Sequence, residues 1–205
     1  KKLEANLASL YRLKPANRDE VMKQLIGMIS DGFNYHVLRT DISSFFESVP
    51  HDRLLNKLKD DQLLSQKSLR LISGILFSYA GLASTPGVGL PRGLGISSYL
   101  SELYMRDFDQ RVRMLDDVVF YARYVDDIVV LFAPLPGADV RVKRPKIRGF
   151  LRDISLTMNE TAEKTKESPV DDQGIPETKR TWNFEYLGYR IDFRSGVSVY
   201  MSRKR

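Results

Sequence analysis

Apolar positions along the chain switch between two periods, and the switch points mark its elements. In residues 19–30, Val21, Leu25 and Met28 or Ile29 fall on one helical face, which Asp31-Gly32 closes. Tyr35 to Ile42 reads as a strand in which Val37 and Leu38 lead into Asp41, with the apolar pair Phe45-Phe46 following directly and expected on an extended backbone that points the two rings opposite ways. Beyond Pro50 and His51, Leu54, Leu55 and Leu58 return to helical spacing, and Ser68 to Tyr79 predicts a second helical arm. Residues 81–95 are rich in glycine and carry two prolines, so they predict a loop that presents backbone. From Ser97 and Ser98, the expected N-cap hydroxyls, Leu100, Tyr104, Phe108 and Val112 form one helical stripe. VVFYARY and IVVLF are β-rich runs separated by Val125, Asp126 and Asp127, which predicts a hairpin.

Residues 139–152 carry Arg141, Lys143, Arg144, Lys146 and Arg148, and Pro145 is expected to interrupt a single straight helix, leaving a basic, partly helical face. Residues 159–181 are polar and predict a loop; FEYLGYRIDF resumes strand character before the hairpin-like RSGVSVY. Strand, helices, loop, helix, hairpin, helix and strand in that order predict an α+β fold, with helices on one face of an antiparallel sheet. There is no internal repeat or low-complexity tract.

Composition narrows the chemistry. The 205 residues, 42% hydrophobic, suffice for one main core. A net charge of +6 and a pI near 9.4 suit a polyanionic partner such as nucleic acid. The absence of cysteine excludes a disulfide scaffold, a thiolate metal site and a cysteine nucleophile, and two histidines are too few for a histidine-rich zinc site. No run reaches the roughly 18 apolar residues of a spanning helix, and no cleavable signal opens the chain, so a soluble cytoplasmic protein is expected. A first residue Lys1 and a charged end at residues 202–205 suit a part of a longer protein.

Four Asp-Asp pairs, at 60/61, 116/117, 126/127 and 171/172, act as controls for one another. Three lie in polar surroundings and read as solvated loops or helix ends. Asp126 and Asp127 instead interrupt two β-rich runs, where adjacent carboxylates repel and lose hydration at a cost on the order of several kcal/mol. Something positive is expected there. An acidic pair on a tight hairpin beside a third acid, Asp41 at the end of an apolar strand, is an arrangement that holds divalent metal. Taken alone, Asp41 reads equally well as a cap or turn residue.

Tyr124-Val125-Asp126-Asp127 resembles the YxDD hairpin of reverse transcriptases, and DISSFFESVPH from Asp41 resembles their first palm motif. Gly89-Leu90-Pro91-Arg92-Gly93 followed by Ser97 is similar to the family's template and nucleotide loop, and Tyr186-Leu187-Gly188-Tyr189 to its primer-grip turn. LTMNETAEKT, residues 156–165, resembles the segment that ends in a lysine. These motifs occur in the family's order across roughly residues 35–191. Arg92 stands where glutamine is usual and Ser98 where proline is usual; with YARYVDDIVV, the pattern looks most similar to bacterial abortive-infection and defence-associated antiviral reverse transcriptases.

The resemblance implies a polymerase right-hand palm, a ferredoxin-like antiparallel sheet with helices on one face, plus part of the fingers. Residues 1–34 would be partial fingers or a helical lead-in, 35–191 the palm with fingers helices at about 51–80, and 192–205 the start of a connection towards a thumb. It implies RNA-directed DNA synthesis on two Mg²⁺ ions, with Mn²⁺ as a substitute, held by Asp41, Asp126, the accompanying Asp127 and the Ile42 carbonyl. Lys164 would assist pyrophosphate departure, although two extra residues separate it from Asn159, and Lys166 competes for the role.

Phe46 would lie under the incoming sugar and exclude a 2′-hydroxyl; an ordinary core phenylalanine is the rival reading. Leu90, Pro91, Arg92 and Gly93 would bind nucleotide, and Arg12, Lys14 and Arg18 are candidate triphosphate clamps. Tyr186, Leu187 and Gly188, with Arg144 and Lys146, would meet primer and template, against the blander readings of strand packing and a solvated charged face. Expected partners are an RNA template, a DNA product and deoxynucleoside triphosphates, with a homo-oligomer or partner defence proteins as assemblies and no membrane. Untemplated or protein-primed DNA synthesis is one alternative. A catalytically silent palm that binds RNA or serves assembly is another.

Overall fold

A computed structural model describes residues 1–81, 85–135, 139–171, 182–193 and 197–202. The chain divides into two compact units. The first comprises Lys1–Pro15, Ser43–Phe108 and Asp153–Leu156, the second Ala16–Ile42, Asp109–Arg152 and Thr157–Arg205.

The first unit is helical: α1 (Lys2–Leu10), the single turn α3 (Phe45–Ser48), α4 (His51–Asp60), α5 (Gln66–Ala80) and most of α6 (Gly95–Arg113). Leu54, Leu55 and Leu58 bury the predicted face of α4, while Lys57 and Lys59 in its last turn suit the negative end of the helix dipole. Ser65 caps α5 by accepting from the Ser68 amide. Two readings of the sequence are corrected here. Phe45-Phe46 does not continue an extended strand, because Ser44 turns the backbone into the left-handed region at φ 45 and starts α3. Ser97 and Ser98 are not caps, since α6 already begins at Gly95; the Ser97 hydroxyl donates instead to the Pro91 carbonyl at 2.6 Å.

The glycine-rich segment follows the predicted loop, with residues 82–84 outside the described part. It is stitched to the residues around α3: Gly89 donates to the Val49 carbonyl at 2.8 Å, Leu90 to the Phe46 carbonyl at 2.6 Å, and His51 Nε2 lies 2.6 Å from the Gly89 carbonyl. Gly89 has φ +100, and a β-carbon there would meet the Tyr79 ring at 3.0 Å, so both backbone and space call for glycine.

In the second unit, β1 (His36–Asp41), β2 (Val118–Tyr124), β3 (Asp127–Phe132) and β4 (Lys166–Glu167) form an antiparallel sheet of order β2-β3-β1-β4, the ferredoxin-like order. α2 (Arg18–Ile29), capped by Asn17, buries Val21, Met22, Leu25 and Ile29 in a core with Val37, Ala122, Val129 and Leu131. α7 (Lys143–Asp153), preceded by a 3₁₀ turn at Val140–Val142, buries Ile147 and Leu151. Pro145 does not break this helix, because it lies in the first turn, where a missing N–H costs nothing.

The polar stretch after residue 159 contributes β4, two residues only, and residues 172–181 lie outside the described part. FEYLGYRIDF has the expected strand character, with the turn at its middle. It is the hairpin β5 (Asn183–Tyr186) and β6 (Tyr189–Asp192), turned by Leu187 and Gly188 at φ 48 and 75, with β7 (Ser198–Met201) as third strand of a separate sheet. Residues 194–196 and 203–205 lie outside the described part. No described helix is long and apolar enough to cross a membrane.

The control pairs also need revision. Asp116 is exposed, but Asp117 is 5% exposed and paired with Lys143, so that pair is only half solvated. Of the 171/172 pair, Asp172 lies outside the described residues.

Candidate active site

The site is built where β1 and β3 end together. In their register Asp41 stands opposite Asp127, and residues two apart on a strand share a face, so Arg39, Asp41, Asp127 and Val129 lie on one side of the sheet. Val125 and Asp126 form the two-residue turn between β2 and β3, where Tyr124 pairs with Asp127. Val125 takes φ 59, a costly conformation for a β-branched residue, as is found where structure is held for function. The Ile42 amide donates to the Asp126 carbonyl at 3.1 Å, tying this turn to the end of β1.

Cations already meet two of the three acids. Lys164 Nζ is 2.7 Å from Asp41 Oδ2, and Arg39 Nη2 donates to Asp127 Oδ1 at 2.7 Å. Lys164 is therefore the lysine at the acids, whereas Lys166 pairs through its backbone with Arg39 in β4. Burial holds the Asp127 carboxyl above the ordinary carboxylate range, and Asp126 and Asp41 add to the rise against the lowering effect of Arg39. The hydrogen bond to Asp41 holds the Lys164 ammonium above its usual range.

Asp41 is 4% exposed, and its Oδ1 is buried without a hydrogen-bond partner. Such an orphaned oxygen is costly and suits a cation ligand. No group of three His, Cys or acidic residues among the described residues is arranged to hold a metal ion by itself. The donor set nonetheless fits Mg²⁺, which binds through one or two carboxylates and completes its shell with water and substrate phosphates. Asp41 and Asp126 are the residues that could supply those carboxylates.

The other expected residues divide between the units. Tyr186 is fully buried in the second unit, its hydroxyl 3.5 Å from the Asp127 carbonyl, and Leu187-Gly188 turns directly after it. Arg18 lies beside that turn, its guanidinium 5.3 Å from the centre of the Tyr189 ring, whereas Arg12 and Lys14 belong to the first unit. Arg144 and Arg148 both bind Glu160, Arg141 binds Asp139, and Lys146 is exposed.

In the first unit, Phe46 is half-buried and in ring contact with the buried Phe45, with centroids 5.5 Å apart. Arg92 Nε donates to Glu47 Oε1 at 2.5 Å and holds that carboxyl below its usual range; its guanidinium lies 6.0 Å from the Phe46 ring centre. Leu90 and Pro91 are buried, while Arg92 and Gly93 are exposed.

Sequence reasoning missed Arg39. The signal was present, because an arginine set directly after Val37 and Leu38 in a fully buried strand needs a buried partner.

The sheet has a palm-like antiparallel order, with Asp41 and Asp127 paired at its end and Asp126 on the strained turn between β2 and β3. Residues 7–191 match the family described as "Reverse transcriptase (RNA-dependent DNA polymerase)", and the chain belongs to that family. Among solved structures, a telomerase from Candida albicans in complex with a TWJ fragment of telomeric RNA is 13% identical, with a TM-score of 0.62 over 98% of this chain and 37% of that one. An apo telomerase from Candida tropicalis, truncated from its C-terminal domain, is 12% identical, with a TM-score of 0.62 over 98% of this chain and 44% of that one. At this identity the likeness shows the fold, and the chain spans less than half the length of those proteins. No curated protein sequence matches.

Proposed function

We propose that this chain carries the palm and part of the fingers of an RNA-directed DNA polymerase. The observation that supports it best is the placement of Asp41 opposite Asp127 at the ends of β1 and β3, with Asp126 on the adjoining turn and an unsatisfied Asp41 oxygen. Bound to Asp41 and Asp126, two divalent ions would activate a primer 3′-hydroxyl and stabilise charge on the departing pyrophosphate.

The chain's own groups have separate parts in that transfer. Lys164 stands where it can give a proton or a positive charge to a leaving phosphate once Asp41 is engaged elsewhere. The Tyr186 hydroxyl donates to the Asp127 carbonyl next to the acidic turn, and the Leu187-Gly188 turn beside it suits a primer strand. Leu90 to Gly93 present backbone to a nucleotide, with Arg92 braced by Glu47. The second unit corresponds to a palm and the helices α4 and α5 of the first to fingers.

The resemblance of GLPRG and YARYVDDIVV to motifs of bacterial abortive-infection and defence-associated enzymes supports a role in antiviral defence, in which the DNA product blocks phage growth. Primer extension on an RNA template by the full-length protein, with Mg²⁺ and the four deoxynucleotides, tests the reading. Template-complementary DNA from the parent and none from Asp126→Asn is the expected result. Product whose sequence ignores the template would favour untemplated synthesis, and no product under any priming condition would favour the silent palm.

A further inference from the structure

Arg39 is 8% exposed, yet it carries a charge into the interior two residues before Asp41. Its guanidinium divides between two elements. Nη2 donates to Asp127 Oδ1 at 2.7 Å, while Nη1 donates to the Lys164 carbonyl at 2.5 Å and the Glu163 carbonyl at 3.2 Å. One rigid fork therefore spans the first residue of β3 and the backbone that carries Lys164. A lysine could not reproduce this, having a single nitrogen to place.

Two consequences follow for the acids. Asp127 has one oxygen committed to a permanent cation, so it is a weaker candidate for a metal than Asp126, whose carboxylate makes no ion pair among the described residues. Lys164, fixed through its own carbonyl, is held so that Nζ reaches Asp41 Oδ2. Three carboxylates thus face two cations, and without Arg39 they would face one.

We propose that Arg39 is a positioning residue for nucleotidyl transfer: it withholds Asp127 from the metal and sets Lys164 against Asp41. The proposal rests on the polymerase reading of the same acids. A merely structural arginine would affect the stability of the sheet, whereas this one also sets how strongly the acids attract a divalent ion before substrate arrives. Loss of Arg39 should produce tighter metal binding together with slower turnover.

The test uses Arg39→Met, which keeps the length of the aliphatic stem, alongside Arg39→Lys in the full-length protein. Mn²⁺ binding is measured by electron paramagnetic resonance without nucleotide or nucleic acid, and turnover by primer extension at saturating Mg²⁺. Arg39→Met should bind Mn²⁺ at least about fivefold more tightly, because a nearby positive charge has been removed. Its turnover should fall at least about tenfold through misplacement of Lys164, with little change in nucleotide KM. Adding Asp127→Asn to Arg39→Met should return Mn²⁺ affinity to the parental value. Arg39→Lys should keep near-parental Mn²⁺ affinity and still turn over slowly. Unchanged or weaker Mn²⁺ binding by a folded Arg39→Met overturns the assignment, as does parental turnover by a folded Arg39→Lys. Parental Mn²⁺ binding that persists in Asp126→Asn counts instead against the polymerase reading.

Discussion

Arg123 grips Asp109 with two nitrogens, Nε on Oδ1 and Nη2 on Oδ2, each at 2.8 Å, and both residues are buried. Its third nitrogen, Nη1, donates to the Val125 carbonyl at 2.9 Å, so a buried ion pair braces the strained residue just before Asp126. Removing one partner of such a pair strands the other charge. Asp109→Ala is expected to destabilise the protein by about 3–5 kcal/mol, and Asp109→Ala with Arg123→Leu by less than the sum of the two single changes. Equilibrium urea unfolding of the three variants checks this, and additive losses would show that the pair is not coupled.

Asp126→Asn and Asp41→Asn remove charge with almost no change in volume, so synthesis should fall by at least about a thousandfold, roughly 4 kcal/mol of transition-state stabilisation, in a folded protein. Asp116→Asn should be silent, because Asp116 is exposed. Asp117→Asn should lower stability but not the chemical step, since it weakens the pair with Lys143. Single-turnover primer extension with thermal melting separates the two effects. Mg²⁺ adds a readout independent of catalysis: at a hundred times its Kd it should stabilise the parent by about 2.7 kcal/mol, and Asp126→Asn by much less.

Arg144 and Arg148 share Glu160, so their charges are partly neutralised before any nucleic acid arrives. Lys146→Ala should reduce the slope of log affinity against log salt by about one, and Arg144→Ala by less. Glu160→Gln should act in the opposite direction by freeing both arginines. Filter binding across a salt series measures all three, and an unchanged slope throughout would leave α7 a solvated face.

Phe46→Val should raise ribonucleotide use relative to deoxynucleotide by at least about tenfold, equivalent to roughly 1.4 kcal/mol, if its half-buried ring screens the sugar. Phe45, 2% exposed, is the internal control. Its truncation to alanine should cost about 3–5 kcal/mol of stability and leave the sugar ratio unchanged. Steady-state incorporation of matched nucleotides decides it, and equal ratios for Phe46→Val and parent would remove the gate.

Where burial follows a period, the sequence was readable. Leu54, Leu55 and Leu58, the stripe Leu100, Tyr104, Phe108 and Val112, and the runs flanking Asp126 all occupy the predicted elements. Asp126 and Asp127 stood out because adjacent carboxylates between β-rich runs conflict with their surroundings, whereas Asp41 by itself read equally well as a cap or turn residue. What escaped depends on partners remote in sequence. β4 is two residues long and exists only by pairing with β1, so no local period announces it. The helical turn at Phe45 follows from one left-handed residue, Ser44, whose serine gives no sign of it. Lys143 converts Asp117 from a surface acid into a buried one from 26 positions away. Arg39 was hidden by its neighbours, since Val37, Leu38 and Thr40 make the strand legible and draw attention from the cation between them.

The segment bearing Lys164 is fastened at both ends to the same strand. Asn159 donates to the Asp41 carbonyl at 2.9 Å, Lys166 pairs with Arg39, and the Thr165 hydroxyl lies 2.6 Å from that of Thr40. Slack inserted between those fastenings bulges outward into solvent, where longer loops cost little. The two extra residues before the lysine can be absorbed in this way, and Nζ still arrives at Asp41. Counting positions from Asn159 is thus a poor ruler for this part of the chain.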